Sequence, residues 1–162
     1  MKHPFKYCPF DGQPLTETEH GKPACKCGFV QWDNPIPVVA VLITTGGGIV
    51  AIQRKLDPCA GGWCLPCGFV DSGEDPAIAA VRETKEEAGL DVKVLSLLRA
   101  VKAPTANQII LFYHAEVVGG ALAAGDDAAQ VKIFSPGELP KLCFSLHDEL
   151  VRELGETLNA KC

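Results

Sequence analysis

The stretch Gly68–Leu90, which reads GFVDSGEDPAIAAVRETKEEAGL, decides the fold of this chain. Asp75 can accept hydrogen bonds from exposed helical N–H groups, and Pro76 gives up a donor that would have no partner, so this pair predicts a helix start. Gly89 suits a left-handed cap at the other end. We therefore predict a short helix over residues 76–88.

One face of this helix carries a cluster of carboxylates. Glu83, Glu86 and Glu87 are spaced i, i+3 and i+4 and share a face, while alanines at helical spacing form a packing stripe. Carboxylates this close repel one another, and oxygen ligands of this kind suit Mg²⁺ or Mn²⁺. Arg82 can pair with Glu86 one turn on and hold it in place. The alternative is an acidic face that is simply solvated.

The whole stretch resembles the signature of the Nudix hydrolase family, G-x5-E-x7-R-E-U-x-E-E-x-G-U, where U is a bulky aliphatic residue. The chain departs from it at Thr84, whose hydroxyl would have to bond back to the Ala80 carbonyl if buried. Every polar and glycine position is filled. The matching residues are Gly68, Glu74, Arg82, Glu83, Glu86, Glu87, Gly89 and Leu90.

The resemblance implies hydrolysis of a nucleoside diphosphate linked to another group. Its metal ligands would be the three glutamates of the helix and the Gly68 carbonyl, with Mg²⁺ or Mn²⁺ as the cofactor. Either Glu83 or Glu87 would remove a proton from the attacking water. Glu74 would orient the loop, and Arg82 would fix the glutamate cluster.

Residues outside the signature extend the expected site. Arg54 resembles a phosphate-contacting position of the family, and Asp127 is a candidate for one more acidic ligand. Asp126 lies beside it, and Gln130 stands where glutamate is common. Phe112 is a candidate for stacking on a base, as are Trp32 and Tyr113. The alternative for these three aromatic residues is a place in the core or at an interface.

Apolar, β-branched runs predict the remaining elements. The resemblance implies an α/β Nudix fold, a mixed β-sheet sandwiched between helices, and the order of elements fits that architecture. The runs predict a hairpin from residues 36–43 and 49–52, further strands at 92–101, 109–118 and 131–134, and a terminal helix at 145–154.

The first 31 residues are expected to form a separate zinc-ribbon-like β segment, and residues 32–162 the hydrolase domain. Cys8-Pro9-Phe10-Asp11-Gly12 and Cys25-Lys26-Cys27-Gly28 resemble two ribbon knuckles, which some Nudix hydrolases carry. A usual ribbon has two C-x2-C pairs, whereas here Asp11 takes one ligand position. The expected zinc ligands are Cys8, Cys25, Cys27 and an oxygen or imidazole from Asp11, His20 or His3. The alternative is a ribbon that has lost its metal.

A second C-x2-C pair lies just before the signature. Cys64 and Cys67 could bind a metal or form a redox couple, although small apolar packing is the simpler interpretation. Cys67 stands where many Nudix members have glycine.

Composition limits the function classes. With 162 residues, 47% of them hydrophobic, the chain suits one enzyme-sized domain and a small appendage. A net charge of −5 argues against an extended nucleic acid as the main partner. The start of the chain lacks an apolar signal core, and no apolar stretch approaches the roughly 20 residues that span a bilayer, so a cytoplasmic protein without a membrane partner is expected.

The resemblance leaves the substrate open among small nucleotides. Zinc-ribbon members include hydrolases of ADP-ribose, FAD and NADH, and the chain lacks the SQPWPFPxS-like motif that marks NADH pyrophosphatases. ADP-ribose or FAD is therefore expected, with NADH as the alternative. Related enzymes are often homodimers. Two other classes stay open: a Nudix-fold module that senses a nucleotide without cleaving it, and an adaptor that binds through the lysines of the ribbon-like segment.

Overall fold

The computed structural model describes residues 5–125, 127–135 and 137–159, with side chains to residue 154. The chain divides into two compact units, Met1–Pro35 and Ile36–Cys162. This division falls four residues later than the boundary expected after residue 31. No helix among the described residues has the length and apolar character needed to cross a membrane.

The first unit is built from short turns and a two-stranded antiparallel sheet. Strands β1 (Thr16–Glu17) and β2 (Pro23–Ala24) pair with each other. Two tight turns flank them, closed by hydrogen bonds from the Gly12 amide to the Cys8 carbonyl and from the Gly28 amide to the Cys25 carbonyl, each 3.0 Å long. Both glycines have positive φ angles, which residues with a side chain rarely adopt. The turns are therefore glycine-dependent, as the knuckle pattern predicts.

The second unit is a mixed sheet flanked by two helices, counted over the residues that the structure describes. The elements are β3 (Ile36–Thr45), β4 (Gly48–Arg54), β5 (Trp63–Cys64), β6 (Cys67–Phe69), α1 (Pro76–Ala88), β7 (Leu90–Lys102), β8 (Gln108–Gly120), β9 (Ala128–Phe134) and α2 (Ser145–Asn159). The sheet order is β5-β4-β3-β8-β7, with β6 paired to β3 and β9 paired to β4. Among these described strands of the sheet, the β3–β8 pairing is parallel and the others are antiparallel.

Strand β3 explains why the sheet needs a helix on each face. Its side chains alternate between two cores, because successive residues of a strand point to opposite faces. Val39, Val41 and Ile43 pack in the core that contains Ala79 and Ala80 of α1. Ala40 and Leu42 pack in the core that contains Leu150 and Val151 of α2. The predicted sandwich of a mixed sheet between helices is confirmed.

Helix α1 has the boundaries and the caps that the sequence predicts. The Asp75 carboxylate accepts a hydrogen bond of 2.8 Å from the Ala77 amide, and Pro76 is the first helical residue. Gly89 follows the last turn with φ of 72°, and its amide donates to the Lys85 carbonyl. Both ends of the helix are thus fixed by local chemistry, which sets the rotation of the carboxylate face.

Thr84, the departure from the signature, is buried on the packing face of α1. Its side chain is 0% exposed, and its hydroxyl donates a 2.8 Å hydrogen bond to the Ala80 carbonyl. The expected back-bond is therefore present. It removes the cost of a buried hydroxyl without a partner.

Substitutions at Thr84 should separate the role of the methyl group from that of the hydroxyl. Thr84→Val keeps the methyl and fills the same space, so the free energy of unfolding should stay equal or rise. Thr84→Ser deletes a buried methyl and should lower it by about 1 kcal/mol. Urea denaturation of the two variants measures this. A valine variant less stable than the serine variant would show that the hydroxyl contributes more than packing.

His147 is the buried titratable group of α2. Its Nδ1 accepts a 3.3 Å hydrogen bond from the Leu65 amide, and its ring meets those of Phe112 and Phe144 edge-on. Burial, and secondarily the charge of Arg54, lowers the His147 pKa to about 3. The imidazole is therefore neutral in the folded protein at neutral pH, with its proton on Nε2.

His147 should make the protein acid-sensitive. Its folded pKa of about 3 lies below the ordinary 6.5, so the unfolded chain takes up the proton first. Stability should be complete above about pH 6.5 and should fall by at most about 1.4 kcal/mol per unit as the pH drops toward 3. Denaturation at several pH values, compared with His147→Gln, measures this contribution. Equal pH slopes for the two proteins would contradict it.

Candidate active site

The three glutamates of α1 occupy different environments. Glu87 is 6% exposed, and its Oε2 accepts a 2.8 Å hydrogen bond from the Cys67 amide of β6. The Glu83 side chain is 13% exposed, whereas that of Glu86 is 57% exposed. Glu83 and Glu87 therefore face inward, and Glu86 lies at the solvent edge of the same helix face.

Arg82 ties this helix face to the preceding loop. Its Nε and Nη2 bind the two oxygens of Glu74, each at 2.9 Å, in a bidentate pair. Its Nη1 donates to Glu83 at 2.7 Å and to Glu86 at 3.2 Å. Its Nη2 also donates to the Phe69 carbonyl at 3.0 Å. The pairing of Arg82 with Glu86 is confirmed, and Glu74 proves to be the strongest partner of the guanidinium.

Glu74 holds the loop between β6 and α1 together. Its Oε2 accepts a 3.0 Å hydrogen bond from the Asp71 amide, in addition to the contact with Arg82. The hydrogen bonds from Arg82 and from the Asp71 amide lower the Glu74 pKa to about 2. Glu74 is therefore ionised at any pH at which the protein functions, and it acts as a fixed anchor for the arginine.

Gly68 lies directly against the Glu83 carboxylate. A Cβ atom at this position would overlap the carboxylate carbon and both of its oxygens. Only glycine lets the β6 backbone approach the acidic face this closely. This close approach fits the expected role of Gly68 as a backbone ligand beside Glu83.

A cavity of about 910 Å³ opens in front of these groups. Glu83 and Glu87 line one part of it together with Gly68, and Arg54 and Asp127 also lie on its wall. Glu86 and Arg82 are not among its lining residues. Such a volume suits a nucleotide-sized ligand. The remaining wall is formed mainly by residues 56–59, 103–106 and 143–147.

Burial disfavours the charged forms of the two inward glutamates, Glu83 and Glu87. Burial raises the Glu87 pKa to about 8, against the opposing hydrogen bond from the Cys67 amide. Burial also raises the Glu83 pKa, while Arg82 opposes it. A divalent cation between the two carboxylates would favour their charged forms. The donor set of hard oxygens with a glycine cradle therefore fits Mg²⁺ or Mn²⁺.

Arg54 provides the cationic wall of the cavity. Its Nε donates a 2.7 Å hydrogen bond to the Pro58 carbonyl, and its guanidinium carbon lies 5.3 Å from the centre of the Phe144 ring. A guanidinium held this way can bind a phosphate group.

The remaining predicted residues differ in whether they line the cavity. Asp127 is exposed and lines the cavity, whereas Gln130 is exposed on β9 and does not; Asp126 lies outside the described residues. Phe112 is 0% exposed, packed in the α2 core and absent from the cavity wall, so it has no free face for stacking on a base. The core alternative holds for Phe112. It is buried because β8 has a neighbouring strand on each edge and α2 covers the face on which Phe112 lies.

Several residues of the cavity wall escaped sequence reasoning. Four of them line the cavity from three places in the chain: Cys59 between β4 and β5, Cys143 and Phe144 just before α2, and His147 in the first turn of α2. A single histidine on an amphipathic helix carries no signal of this role. The cysteines were visible as an unusual number of thiols, but their convergence depends on the tertiary fold.

A separate candidate metal centre lies in the first unit. The ligand atoms of Cys8, Asp11, Cys25 and Cys27 all lie within 4.8 Å of one another. The sulfurs of Cys8 and Cys27 are 3.6 Å apart, and the Cys25 sulfur is 3.2 Å from Asp11 Oδ2. His20 does not belong to this group, and His3 lies outside the described residues. The four expected side chains thus converge, with Asp11 as the oxygen donor.

Comparison with known proteins agrees with this site. The chain is 41% identical over 123 residues to an ADP-ribose pyrophosphatase of Methanocaldococcus jannaschii, covering 72% of each chain. It is 29% identical over 140 residues to the NAD-capped RNA hydrolase NudC of Pseudomonas putida, covering 85% of this chain but only 50% of that protein. A crystal structure of a Nudix hydrolase from Nitrosomonas europaea superimposes with a TM-score of 0.85 at 24% identity, covering 94% of this chain and 91% of that one. The NUDIX domain profile matches residues 34–154. The chain therefore belongs to the Nudix family.

Proposed function

We propose that this protein is a divalent-metal-dependent pyrophosphohydrolase that cleaves the diphosphate bridge of ADP-ribose or a related dinucleotide. The observation that carries the proposal is the convergence of Glu83, Glu87 and Gly68 on one wall of a cavity of about 910 Å³, with Arg54 on the same cavity. A cation site and a guanidinium facing one nucleotide-sized space suit a bound diphosphate.

The chemistry divides among the residues of this wall. Glu83, Glu87 and the Gly68 carbonyl would hold the cation, with Glu86 and Asp127 at its solvent side. When bound, Mg²⁺ or Mn²⁺ supplies positive charge that offsets the diphosphate and favours loss of a proton from water. Arg54 binds a phosphate oxygen, and Glu83 or Glu87 accepts the proton of the attacking water. Arg82 and Glu74 keep the loop between β6 and α1 fixed against the helix.

The relatives guide the choice of substrate. The relative at 41% identity is named for ADP-ribose, and the relatives named for NAD-capped RNA share 30% identity or less and are matched over half of their length or less. ADP-ribose is therefore the first substrate to test, with FAD next. NADH and NAD-capped RNA follow, although the net charge of −5 disfavours contact with a long RNA.

Removing the charge of one inward carboxylate should strongly lower kcat while preserving the fold. Glu87→Gln keeps the shape of the side chain and the acceptor for the Cys67 amide but removes the charge. With Mg²⁺ or Mn²⁺, we expect AMP release from ADP-ribose by the wild type and a loss of about 100-fold or more in kcat for the variant. Chromatographic detection of AMP from ADP-ribose, FAD and NADH, and of nicotinamide mononucleotide from NAD-capped RNA, measures both the reaction and the preference.

The matched control is Glu116→Gln, since Glu116 is an exposed acid on β8 that does not line the cavity. Its activity should equal that of the wild type. Absence of turnover for every substrate, combined with tight binding of ADP-ribose by the wild type without metal, would contradict hydrolysis. That outcome would favour a nucleotide-sensing module.

We further infer that Cys8, Asp11, Cys25 and Cys27 hold a structural zinc ion. Three thiolates and one carboxylate form a four-ligand set of the kind that closes a tetrahedral zinc site. The Phe10 amide points to the Cys8 sulfur at 3.4 Å, as the amides of a metal-binding knuckle do. Asp11 Oδ1 accepts a 3.0 Å hydrogen bond from the Gln13 amide, which fixes its orientation.

Zinc loading is tested without substrate. Native mass spectrometry of protein purified without chelator should show one zinc per chain, and Cys27→Ser should lose it, since the site then lacks one thiolate. Asp11→Cys should keep the metal and resist chelators longer, because four thiolates bind zinc more tightly. Wild-type protein that contains no zinc after expression in zinc-supplemented medium would contradict the inference.

The homodimer implied by the family resemblance stays a prediction. Light scattering of the purified protein measures its mass directly. A mass of one chain would contradict it, and the active-site proposal would stand, since every cavity residue named above comes from a single chain.

A further inference from the structure

Four cysteines of the second unit gather on one side of the catalytic cavity. Cys59, Cys67 and Cys143 line it, and the thiol of Cys64, which is 0% exposed, lies just behind them. The Cys64 thiol interacts with those of Cys67 and Cys143, and Cys143 interacts in turn with Cys59. These thiols are free in the structure. Cys64, Cys67 and Cys143 belong to one packing cluster, and the Cys59 thiol donates to the Cys143 carbonyl at 3.8 Å, so the four side chains are neighbours beside the proposed metal site.

Of these cysteines, the Cys64–Cys67 pair is directly joined to the proposed metal-binding residues. Cys64 ends β5 and Cys67 begins β6, with only Leu65 and Pro66 between them. The Cys67 amide donates the 2.8 Å hydrogen bond to Glu87, and the next residue, Gly68, is the close-approach glycine beside Glu83. Any change in the backbone at Cys67 therefore acts directly on both inward carboxylates.

The arrangement favours a disulfide over a second metal centre. In the first unit, four ligand atoms converge within 4.8 Å, whereas the cavity thiols form no such group among the described residues. Two neighbouring thiols across a C-x2-C spacing, in contrast, need to close only a short ring.

We propose that Cys64 and Cys67 are a reversible oxidation site whose disulfide impairs the metal-binding wall of the cavity. Hydrogen peroxide is the oxidant: one thiol is oxidised to a sulfenic acid and peroxide is reduced to water. The second thiol then displaces a second water to form the S–S bond, so that two thiols lose two electrons and two protons. A dithiol reductant reverses the step. The impairment of catalysis rests on the proposed hydrolase function.

A Cys64–Cys67 disulfide closes a short ring that restricts the backbone of this segment. Linking the two sulfurs constrains the Cys64–Cys67 segment, in which the Leu65 amide is also bonded to His147. The Cys67 amide must then turn relative to α1, which weakens its hydrogen bond to Glu87. Loss of a hydrogen bond that orients a metal ligand lowers metal affinity by about 10-fold to 100-fold.

The test compares reduced and peroxide-treated full-length protein. Cleavage with trypsin places Cys59, Cys64 and Cys67 together in peptide 56–82, and Cys143 in a different peptide. We expect the loss of two hydrogens in peptide 56–82, with fragmentation assigning the link to Cys64–Cys67. Titration with Mn²⁺, followed by electron paramagnetic resonance of the free ion, should show affinity lowered about 10-fold or more. Dithiothreitol should restore it.

Variants assign the effect to this pair. Each variant is compared with its own reduced form, so no assumption about basal activity is needed. Cys64→Ala and Cys67→Ala should each keep their Mn²⁺ affinity after peroxide, whereas Cys59→Ala should respond as the wild type does. If the fully buried Cys64 does not tolerate substitution, the half-buried Cys67 supplies the same test.

Three results would overturn the proposal: no internal link in peptide 56–82, a link from Cys64 to Cys143 instead, or equal peroxide sensitivity in Cys67→Ala and the wild type. Mapping of the link and binding of Mn²⁺ require no substrate. If the protein hydrolyses no dinucleotide, these two readouts still decide whether the oxidation site exists, so its failure can be told apart from failure of the proposed function.

Discussion

The guanidinium of Arg82 is the contact on which the rest of the site depends. It joins three parts of the chain: the Phe69 carbonyl at the end of β6, Glu74 in the loop, and Glu83 and Glu86 on α1. Charge-assisted and bidentate hydrogen bonds are the strong ones, so this hub fixes the loop against the helix. It acts together with the hydrogen bond from the Cys67 amide to Glu87, which joins β6 to the same helix. Glu74, whose pKa is held near 2, supplies the matching charge.

The site combines an ion-pair network at its edge with carboxylates that are poorly solvated at its centre. Glu86 keeps contact with water, and Arg82 offsets its charge. Glu87 has lost its water, and a hydrogen bond from one amide only partly replaces it, so its pKa rises to about 8. Each unit of such a shift corresponds to about 1.4 kcal/mol of penalty on the charged form. This stored penalty favours a cation, since ion binding relieves it, and it explains why the acidic face is not an ordinary solvated surface.

Sequence alone predicted the parts of the fold that local chemistry controls. Asp75, Pro76 and Gly89 determine the ends of α1 through their own backbone preferences, and the back-bond of Thr84 follows from helical spacing. The two faces of β3 could be expected from its continuous apolar run. The role of Phe112 could not, because the same aromatic ring suits a core or a base-stacking surface, and only the position of β8 inside the sheet decides between them.

Several residues of the cavity wall could not be predicted from the sequence either, because they are far apart along the chain. His147 and Cys143 are separated from α1 by more than 50 residues of chain, and only the packing of α2 on the second face of the sheet brings them beside β5 and β6. Cys67 combines a backbone role at the site with a side chain whose neighbours depend on the tertiary fold. The catalytic geometry uses only the amide of this residue, which a glycine would also provide, yet the chain places there a thiol in contact with a second thiol. The side chain therefore adds an oxidisable group at the point where the backbone orients Glu87, so that chemistry at the sulfur and alignment of the metal ligand share one residue.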